Sequence, residues 1–155
     1  MSTNDELVFM MGKYAARLPT DRRYARNHMW SQEHQGVLRF GFTSYAVRLM
    51  QDVYFLDWCV DDGATVSLKQ RIGNIETSKA VSDLFAPIAG RINQLNRDLL
   101  VDPSAINVDC YGVGWLFEMT GDHSVLMDVQ TYRDFLEQGW ETTQRLLKNQ
   151  VLRDE

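Results

Sequence analysis

The segment GNIETSKAVSDLFAPIAG places Lys79 between two stretches of strand-like sequence. Small residues flank this lysine, Ser78 and Ala80, so we expect it at the tip of a tight and open hairpin. Three interpretations compete: a solvated turn residue, a catalytic amine, or the attachment point of a prosthetic group. A catalytic amine needs burial or a neighbouring cation to lower its pKa, and the carboxylates of Glu76 and Asp83 act in the opposite direction. Attachment by a modifying enzyme requires only exposure and space.

The chain has 155 residues, which is enough for one domain with a substantial core. Its hydrophobic content of 45% and charged content of 24% are typical of a globular protein. The net charge of -5 does not indicate a nucleic-acid or anionic membrane partner, and no apolar run reaches the length of a membrane span. Two cysteines, Cys59 and Cys110, cannot form a disulfide framework, so a cytoplasmic location is expected.

The middle of the chain, residues 36–120, consists of short strand-like segments separated by turn residues. The segment after Thr43 differs, because its apolar spacing is helical and Thr43 is a good N-cap. The run VYFLDWCV predicts a strand that begins at Val53 and ends at a DDG turn. Gly73 predicts a bulge or a close backbone approach. These signals favour a mainly β sandwich whose two halves meet at the Lys79 hairpin.

The N-terminal segment, residues 1–20, is predicted to be an amphipathic helix that ends at Pro19. Thr3 and Glu6 have the spacing of a capping box. The apolar residues at helical spacing are Leu7, Met10, Met11, Tyr14 and Leu18.

The C-terminal segment, residues 128–155, is predicted to be a helical segment packed on the domain. Asp128 is a good N-cap for it, and Gly139 is a possible break because an interior glycine costs roughly 1 kcal/mol relative to alanine. The predicted organisation is therefore a helix over 1–20, a β-sandwich over 21–127 and a terminal helical segment.

The Lys79 hairpin resembles the lipoyl-lysine hairpin of the glycine cleavage system H protein family, whose motif runs E-S-V-K-A-x-S-D-x-x-x-P-x-S-G. Seven residues fall on that motif: Glu76, Lys79, Ala80, Ser82, Asp83, Pro87 and Gly90. Four further segments resemble the family in the same order: residues 22–30, 41–57, 106–119 and 126–136. Biotinyl domains place the lysine between methionines, and the lipoyl domains of 2-oxoacid dehydrogenases carry D-K-A, so both resemble the chain less.

This resemblance implies a lipoyl/biotinyl-type β-sandwich, a barrel-sandwich hybrid, with helices at both termini. It also implies a carrier protein that catalyses nothing itself and bears lipoate on Lys79 as a swinging arm. Tethering of the arm gives a local concentration of about millimolar order. The implied partners are a lipoate ligase or octanoyl transferase and dihydrolipoamide dehydrogenase. The attaching enzyme would recognise the hairpin residues Glu76, Thr77, Ser78, Ala80, Ser82 and Asp83. No metal site is predicted, because His34 and His123 lack ligand spacing.

The chain departs from the family in the polar cleft that shelters the arm. The matching positions here are Asn27, His28, Met29 and Asp83, with asparagine in place of serine and methionine in place of glutamate. Methionine cannot balance a protonated amine, whereas a carboxylate would contribute roughly 1.5–3 kcal/mol as a charged acceptor. Two alternatives remain open: Asp83 suffices, or Glu33 compensates.

Cys110 is a second departure, because it stands where the family usually has proline. It is either a small buried hydrophobic residue or a redox group beside the arm. Together with the terminal helices, these changes resemble the H-like lipoate-binding proteins, which serve sulfur oxidation through a heterodisulfide-reductase-like complex.

The resemblance therefore favours a lipoyl shuttle of sulfur intermediates and electrons. One alternative is the aminomethyl carrier of the glycine cleavage system, with glycine decarboxylase and aminomethyltransferase as partners. Another is an unmodified H-like binding protein in which Lys79 is only a surface residue.

Overall fold

The computed structural model describes residues 5–154, with their side chains as far as residue 146. Within this range the chain forms eleven strands and four helices. The strands are Glu6–Met11 (β1), Tyr14–Pro19 (β2), Arg23–Tyr24 (β3), Met29–His34 (β4), Val37–Phe42 (β5), Val53–Trp58 (β6), Thr65–Val66 (β7), Arg71–Thr77 (β8), Val81–Phe85 (β9), Gly90–Leu95 (β10) and Phe117–Gly121 (β11). The helices are Ser44–Met50 (α1), Asp98–Val101 (α2), Ala105–Val108 (α3) and Val129–Asp154 (α4).

Two antiparallel sheets form the sandwich. The larger one has the strand order β3-β4-β5-β11-β10-β7, and the smaller one has the order β6-β8-β9. Both sheets contribute to one buried cluster, in which Phe40 and Phe117 of the larger sheet join Leu56 and Ile75 of the smaller one. Burial of such side chains removes apolar surface from water and stabilises the pair of sheets. The predicted mainly β sandwich is confirmed.

Two predicted helix starts are also confirmed. The Thr43 hydroxyl accepts a hydrogen bond from the Ala46 amide at 3.2 Å, which caps α1. The Asp128 carboxylate accepts one from the Thr131 amide at 2.8 Å, and α4 begins at the next residue. Gly139 does not break α4, which is continuous over Val129–Asp154.

The prediction of an N-terminal helix is wrong, because residues 6–19 form the β1–β2 hairpin. A two-residue turn joins these strands, and Gly12 supplies the left-handed backbone (φ 65°) that such a turn requires. Burial alternates along β1, with Phe9 and Met11 inside and Met10 outside. The apolar residues fit a period of two as well as a helical one, and packing decides between them. Thr3 of the predicted capping box lies outside the described residues.

The β1–β2 hairpin packs on the rest of the domain through a second buried cluster. The Phe9 ring lies edge-on to Trp140 of α4 at 5.9 Å. The Arg133 guanidinium donates to the Val8 carbonyl at 3.1 Å, which joins α4 to β1 directly. The hairpin and α4 therefore stabilise each other.

Two further features concern only the part of the chain that the structure describes. Its side chains include no group of three or more His, Cys, Asp or Glu placed to hold a metal ion. Its helices include none that combines the length and the apolar character needed to cross a membrane.

Gly73 combines both features that its sequence position predicts. The β8–β9 register shifts between Arg71 and Gly73, and a Cβ at Gly73 would collide with the Asp57 carbonyl oxygen. We expect Gly73→Ala to lower the free energy of unfolding by about 1–3 kcal/mol, because β8 would have to move away from β6, the strand that contains Asp57. Urea denaturation measures this change.

The matched control is Gly139→Ala, since nothing lies within 4 Å of a Cβ at that position. It should raise the free energy of unfolding by about 0.5–1 kcal/mol, because alanine favours a helix interior over glycine. A Gly73→Ala protein as stable as the wild type would contradict the close approach of β6 and β8.

Candidate functional site: the lysine hairpin and the adjacent cavity

Lys79 lies exposed in the turn that joins β8 to β9. The Thr77 amide donates to the Ala80 carbonyl at 2.9 Å, which closes the turn. The Thr77 hydroxyl accepts from the amides of Lys79 at 3.2 Å and Ala80 at 3.3 Å. A threonine hydroxyl that bonds to backbone two and three residues later stabilises a tight turn. Thr77, which differs from the serine of the family motif, therefore fixes the backbone that carries the lysine.

The same turn is tied to the start of β6. The Ser78 amide donates to the Asp52 carbonyl at 2.9 Å. Asn107 of α3 holds that segment from the other side, since its side-chain oxygen accepts from the Val53 amide at 2.9 Å and its amide donates to the Gln51 carbonyl at 2.7 Å. Nothing in the local sequence indicates this role for Asn107. The backbone below Lys79 is held on both sides while its side chain stays accessible.

The predicted recognition residues lie on one exposed hairpin. Glu76, Ser78, Ala80, Ser82 and Asp83 are exposed, and Thr77 is half-buried. The Asp83 carboxylate accepts from the Arg71 guanidinium at 2.9 Å across the two strands. That ion pair is exposed and contributes little to stability. Recognition of these residues by an attaching enzyme stays a prediction.

A cavity of about 580 Å³ lies beside the C-terminal end of β9. Its walls are largely apolar and include Phe85 and Pro87, and its polar residues are Asn27, Arg26 and Lys69. The described residues that line this cavity include no Asp or Glu. The cavity therefore combines apolar walls with positive charge.

Asn27 is held rigidly at this cavity. Its amide nitrogen donates to the Phe85 carbonyl at 3.0 Å and to the Met29 sulfur at 3.6 Å. Its side-chain oxygen is buried and has no hydrogen-bond partner among the described residues. A buried acceptor without a partner costs free energy, and a ligand that donates a hydrogen bond would recover it.

The structure brings two of the four residues predicted to share a cleft into contact, since the Asn27 amide donates to the Met29 sulfur at 3.6 Å, and a cleft shared by all four stays a prediction. Of these, Asn27 alone lines the cavity, whereas Met29 is buried in the sandwich core with 1% of its surface exposed. His28 turns to the opposite side, and Asp83 pairs with Arg71 on the hairpin surface. Glu33 is exposed further along β4 and does not line the cavity. His28 has a left-handed backbone (φ 67°) in the turn before β4, so its side chain does not follow those of Asn27 and Met29.

The His28 side chain does not line the cavity and instead contacts residues of α1 and α4. Its Nδ1 lies 2.9 Å from the Tyr132 hydroxyl, which is also 3.0 Å from the Thr43 hydroxyl. The ring of His28 packs 5.0 Å from that of Tyr45. Burial lowers the pKa of His28 to about 4, so the imidazole is neutral at physiological pH. This histidine connects β4, α1 and α4.

Among the described hydrogen bonds, neither cysteine contacts the lysine turn. Burial raises the pKa of Cys110 to about 12, so its thiol is protonated at neutral pH and is a poor nucleophile. Its carbonyl accepts from the Trp30 indole at 2.8 Å. Cys59 is exposed, and its amide bonds to the Ile72 carbonyl at the end of β8 remote from Lys79. The structural interpretation of Cys110 is therefore favoured over a redox role.

A two-sheet β domain with an exposed lysine at a hairpin tip has the architecture of a lipoyl-type domain. The sequence model of the glycine cleavage H-protein family matches residues 22–139, most of this chain. The chain belongs to the glycine cleavage H-protein family.

Individual relatives agree with this assignment. The glycine cleavage system H protein of Pseudoalteromonas atlantica is 38% identical over 128 residues, which are 79% of this chain and 98% of that protein. The one from Mycobacterium tuberculosis is 35% identical over 130 residues, 77% of this chain and 96% of that protein. The crystal structure of the Mycobacterium marinum protein superposes with a TM-score of 0.65 at 34% identity, covering 74% of this chain and 95% of that one. The family match leaves out the β1–β2 hairpin and the second half of α4.

The buried His28 predicts a pH dependence of stability. Its folded pKa of about 4 lies below the ordinary value of 6.5, so the unfolded chain binds the proton more readily. Burial of neutral His28 therefore does not reduce the free energy of unfolding above pH 6.5. As the pH falls from 6.5 toward 4, the free energy of unfolding decreases by up to about 3 kcal/mol. Urea denaturation at a series of pH values measures this loss.

The variant His28→Asn should flatten this part of the profile, because asparagine does not titrate and tolerates the left-handed backbone of position 28 (φ 67°). His34→Asn, which replaces an exposed histidine, is the matched control and should keep the wild-type profile. An unchanged profile in His28→Asn would mean that other groups cause the pH dependence.

Proposed function

We propose that this protein is a lipoyl carrier of the glycine cleavage system, with lipoate amide-linked to Lys79, and that it catalyses no reaction itself. The observation that carries the proposal is the exposed Lys79 on a turn fixed by Thr77 and Ser78, in a chain of the glycine cleavage H-protein family. Lipoate supplies a dithiolane that a nucleophile or a reductant opens. The protein supplies position: a rigid support below a long, mobile side chain.

Lys79 fits an amide-linked group. The residues beside it, Ser78 and Ala80, are small and exposed, so an attaching enzyme has space around the lysine. The cavity beside β9 has apolar walls, including Leu68 and Phe85, that suit the hydrocarbon part of such an arm. The small exposed neighbours of Lys79 therefore support attachment at this residue.

The proposed partners follow from the glycine cleavage assignment. Glycine decarboxylase and aminomethyltransferase would exchange the aminomethyl cargo with the arm, and a lipoate ligase or octanoyl transferase would attach it. Dihydrolipoamide dehydrogenase is a further proposed partner. The cytoplasmic location stays a prediction. The sequence favoured a carrier for sulfur oxidation, but the relatives described above are all named glycine cleavage system H proteins and do not support that preference. The aminomethyl carrier of glycine cleavage is therefore the main proposal.

One observation still favours sulfur cargo as a second candidate. Arg26 and Lys69 line the cavity, and its described lining includes no carboxylate. Two like charges oppose a protonated amine there, which would find only the Asn27 oxygen as a side-chain acceptor among the described lining residues, whereas an anionic sulfur group would be attracted by both cations. The second candidate is therefore a lipoyl shuttle for a heterodisulfide-reductase-like complex.

The attachment site is tested by Lys79→Arg, with Lys13→Arg as the matched control at another exposed turn lysine. After expression with a ligase, the wild type and Lys13→Arg should gain the mass of one lipoyl group and Lys79→Arg none, because arginine cannot form the amide. Thermal unfolding should be alike in all three. A lipoyl mass on Lys79→Arg would disprove the site, and an unmodified wild type would favour a binding protein.

The pathway is tested by the glycine decarboxylase exchange reaction with the lipoylated protein as the sole acceptor. A bacterial glycine cleavage H protein run alongside is the reference. Turnover similar to the reference is expected. No turnover from a sample that is fully lipoylated by mass would overturn the glycine cleavage proposal and make the sulfur carrier the leading candidate.

The charge of the cavity is tested by Met29→Glu. The Met29 sulfur lies 3.6 Å from the Asn27 amide, so a carboxylate there would accept that hydrogen bond and add negative charge beside the cavity. We expect the KM for the carrier in the exchange reaction to fall several-fold. Burial of the carboxylate at this core position should also lower the free energy of unfolding by a few kcal/mol, an order-of-magnitude value.

The control for this change is Met29→Gln, which keeps the length and polarity of the side chain but not the charge. It should leave the KM near the wild-type value. Equal KM values for the Glu and Gln variants would remove the argument that the missing carboxylate matters for amine cargo.

A further inference from the structure

Gln51 has a backbone conformation that residues other than glycine rarely adopt. Its φ is 62° and its ψ is -140°. This ψ lies outside the small left-handed region that other side chains tolerate, where ψ is about 30–60°, so the backbone of Gln51 is strained. The residue is exposed, so burial of its own side chain does not offset the strain. A strained residue persists only where the surrounding structure holds it.

The elements on either side of Gln51 explain why the chain bends so sharply there. Helix α1 ends at Met50 and strand β6 begins at Val53, so two residues connect them. The Gln51 amide still donates to the Val47 carbonyl of α1 at 2.9 Å, while Val53 is buried in the core. The chain therefore changes direction within two residues, which requires a tight turn of the backbone.

Asn107 holds the strained residue from α3. Its side-chain amide donates to the Gln51 carbonyl at 2.7 Å, and its side-chain oxygen accepts from the Val53 amide at 2.9 Å. The residue before it, Ile106, is fully buried, so α3 presents Asn107 from a fixed position. If the bond to the Gln51 carbonyl were lost, the peptide group between residues 51 and 52 could rotate toward a relaxed conformation.

The carbonyl of the next residue, Asp52, supports the lysine turn. It accepts the hydrogen bond from the Ser78 amide at 2.9 Å, and Lys79 follows directly in the chain. The register of β6 with β8 shifts between Val53 and Phe55, so strand pairing is irregular beside this bond. Rotation of the peptide group before Asp52 would change the direction of the chain there and carry the Asp52 carbonyl away from Ser78.

We propose that Asn107 and Gln51 are positioning residues for Lys79. Asn107 holds Gln51 in its strained conformation, and that conformation directs the Asp52 carbonyl toward the lysine turn. This inference deepens the proposed function and rests on it for the identity of the enzyme that recognises the turn. When the bond from Asn107 is lost, the strain at Gln51 is released and the turn separates from β6.

The consequence for lipoate attachment follows from the fraction of molecules whose turn is in place. The apparent affinity of an enzyme for a site falls in proportion to the fraction of molecules that present it, whereas the chemical step on the bound lysine is unchanged. Loss of the Asn107 bond should therefore raise the KM of a lipoate ligase for this protein and leave its kcat nearly the same.

The position of the turn is tested with Asn107→Asp in the protein without lipoate. A carboxylate still accepts from the Val53 amide but cannot donate to the Gln51 carbonyl. We expect hydrogen exchange at the Ser78 amide, followed by NMR, to become about tenfold faster, which corresponds to the loss of one hydrogen bond.

Two controls show whether this change is local. The Cys59 amide donates to the Ile72 carbonyl at 2.9 Å, at the end of the β6–β8 pair remote from the turn, and should keep its wild-type exchange rate. Asn93→Asp alters an asparagine of β10 and should leave the exchange at both amides unchanged. Equally faster exchange at Ser78 and Cys59 in Asn107→Asp would mean a general loss of stability and would overturn the positioning role.

The part played by strain is tested with Gln51→Gly, because glycine adopts a positive φ at little cost. Adding Asn107→Asp to Gln51→Gly should accelerate exchange at Ser78 much less than Asn107→Asp does alone, since no strain remains to be released. Equal acceleration in the two backgrounds would show that the residues act independently. That result would overturn the proposed coupling between Asn107 and Gln51.

The effect on attachment is measured with a lipoate ligase and the same proteins. The KM for Asn107→Asp should rise several-fold with kcat nearly unchanged, and the added Gln51→Gly change should restore much of the wild-type KM. An unchanged KM in Asn107→Asp would overturn the positioning role in attachment and leave the lipoyl carrier proposal intact. A wild type that the ligase does not modify would instead overturn the proposed function, and the exchange rates at Ser78 would still decide whether Asn107 and Gln51 position the turn.

Discussion

The position of Lys79 depends on hydrogen bonds that do not involve its own side chain. Thr77 closes the turn, Ser78 joins the turn to the segment before β6, and Asn107 holds that segment from α3. The backbone is thereby fixed while the lysine side chain keeps its freedom, which is the combination that a tethered group requires. The turn, the segment before β6 and α3 together provide this geometry.

Much of the fold follows from local signals in the sequence. Thr43 and Asp128 mark helix starts because each offers an oxygen to an unpaired backbone amide, and this chemistry is local. The N-terminal segment shows the limit of such signals. Its apolar residues suit either period, and the choice depends on Phe9 reaching Trp140, more than a hundred residues away in the chain. No local pattern contains that contact.

Some residues of the candidate site are also predictable from local sequence, and others are not. Lys79 is predictable because its flanking residues and the hairpin spacing lie in one short segment. Asn107 is not predictable, since its partners, Gln51 and Val53, come from a distant part of the chain. The cleft expected from the sequence stays a prediction as a full set: Asn27 contacts Met29, whereas the His28 side chain turns to Tyr132 of α4. Side-chain direction, rather than residue type, determined which residues the cavity gathers.

The β1–β2 hairpin has a consequence for solubility during folding and storage. A two-stranded sheet consists entirely of edge strands, whose free carbonyls and amides can pair with another chain. Here the Arg133 guanidinium occupies the Val8 carbonyl, so the helix that the hairpin packs on also blocks part of its edge. Arg133, a residue inside the family match, thus protects part of the strand edge that the β1–β2 hairpin adds.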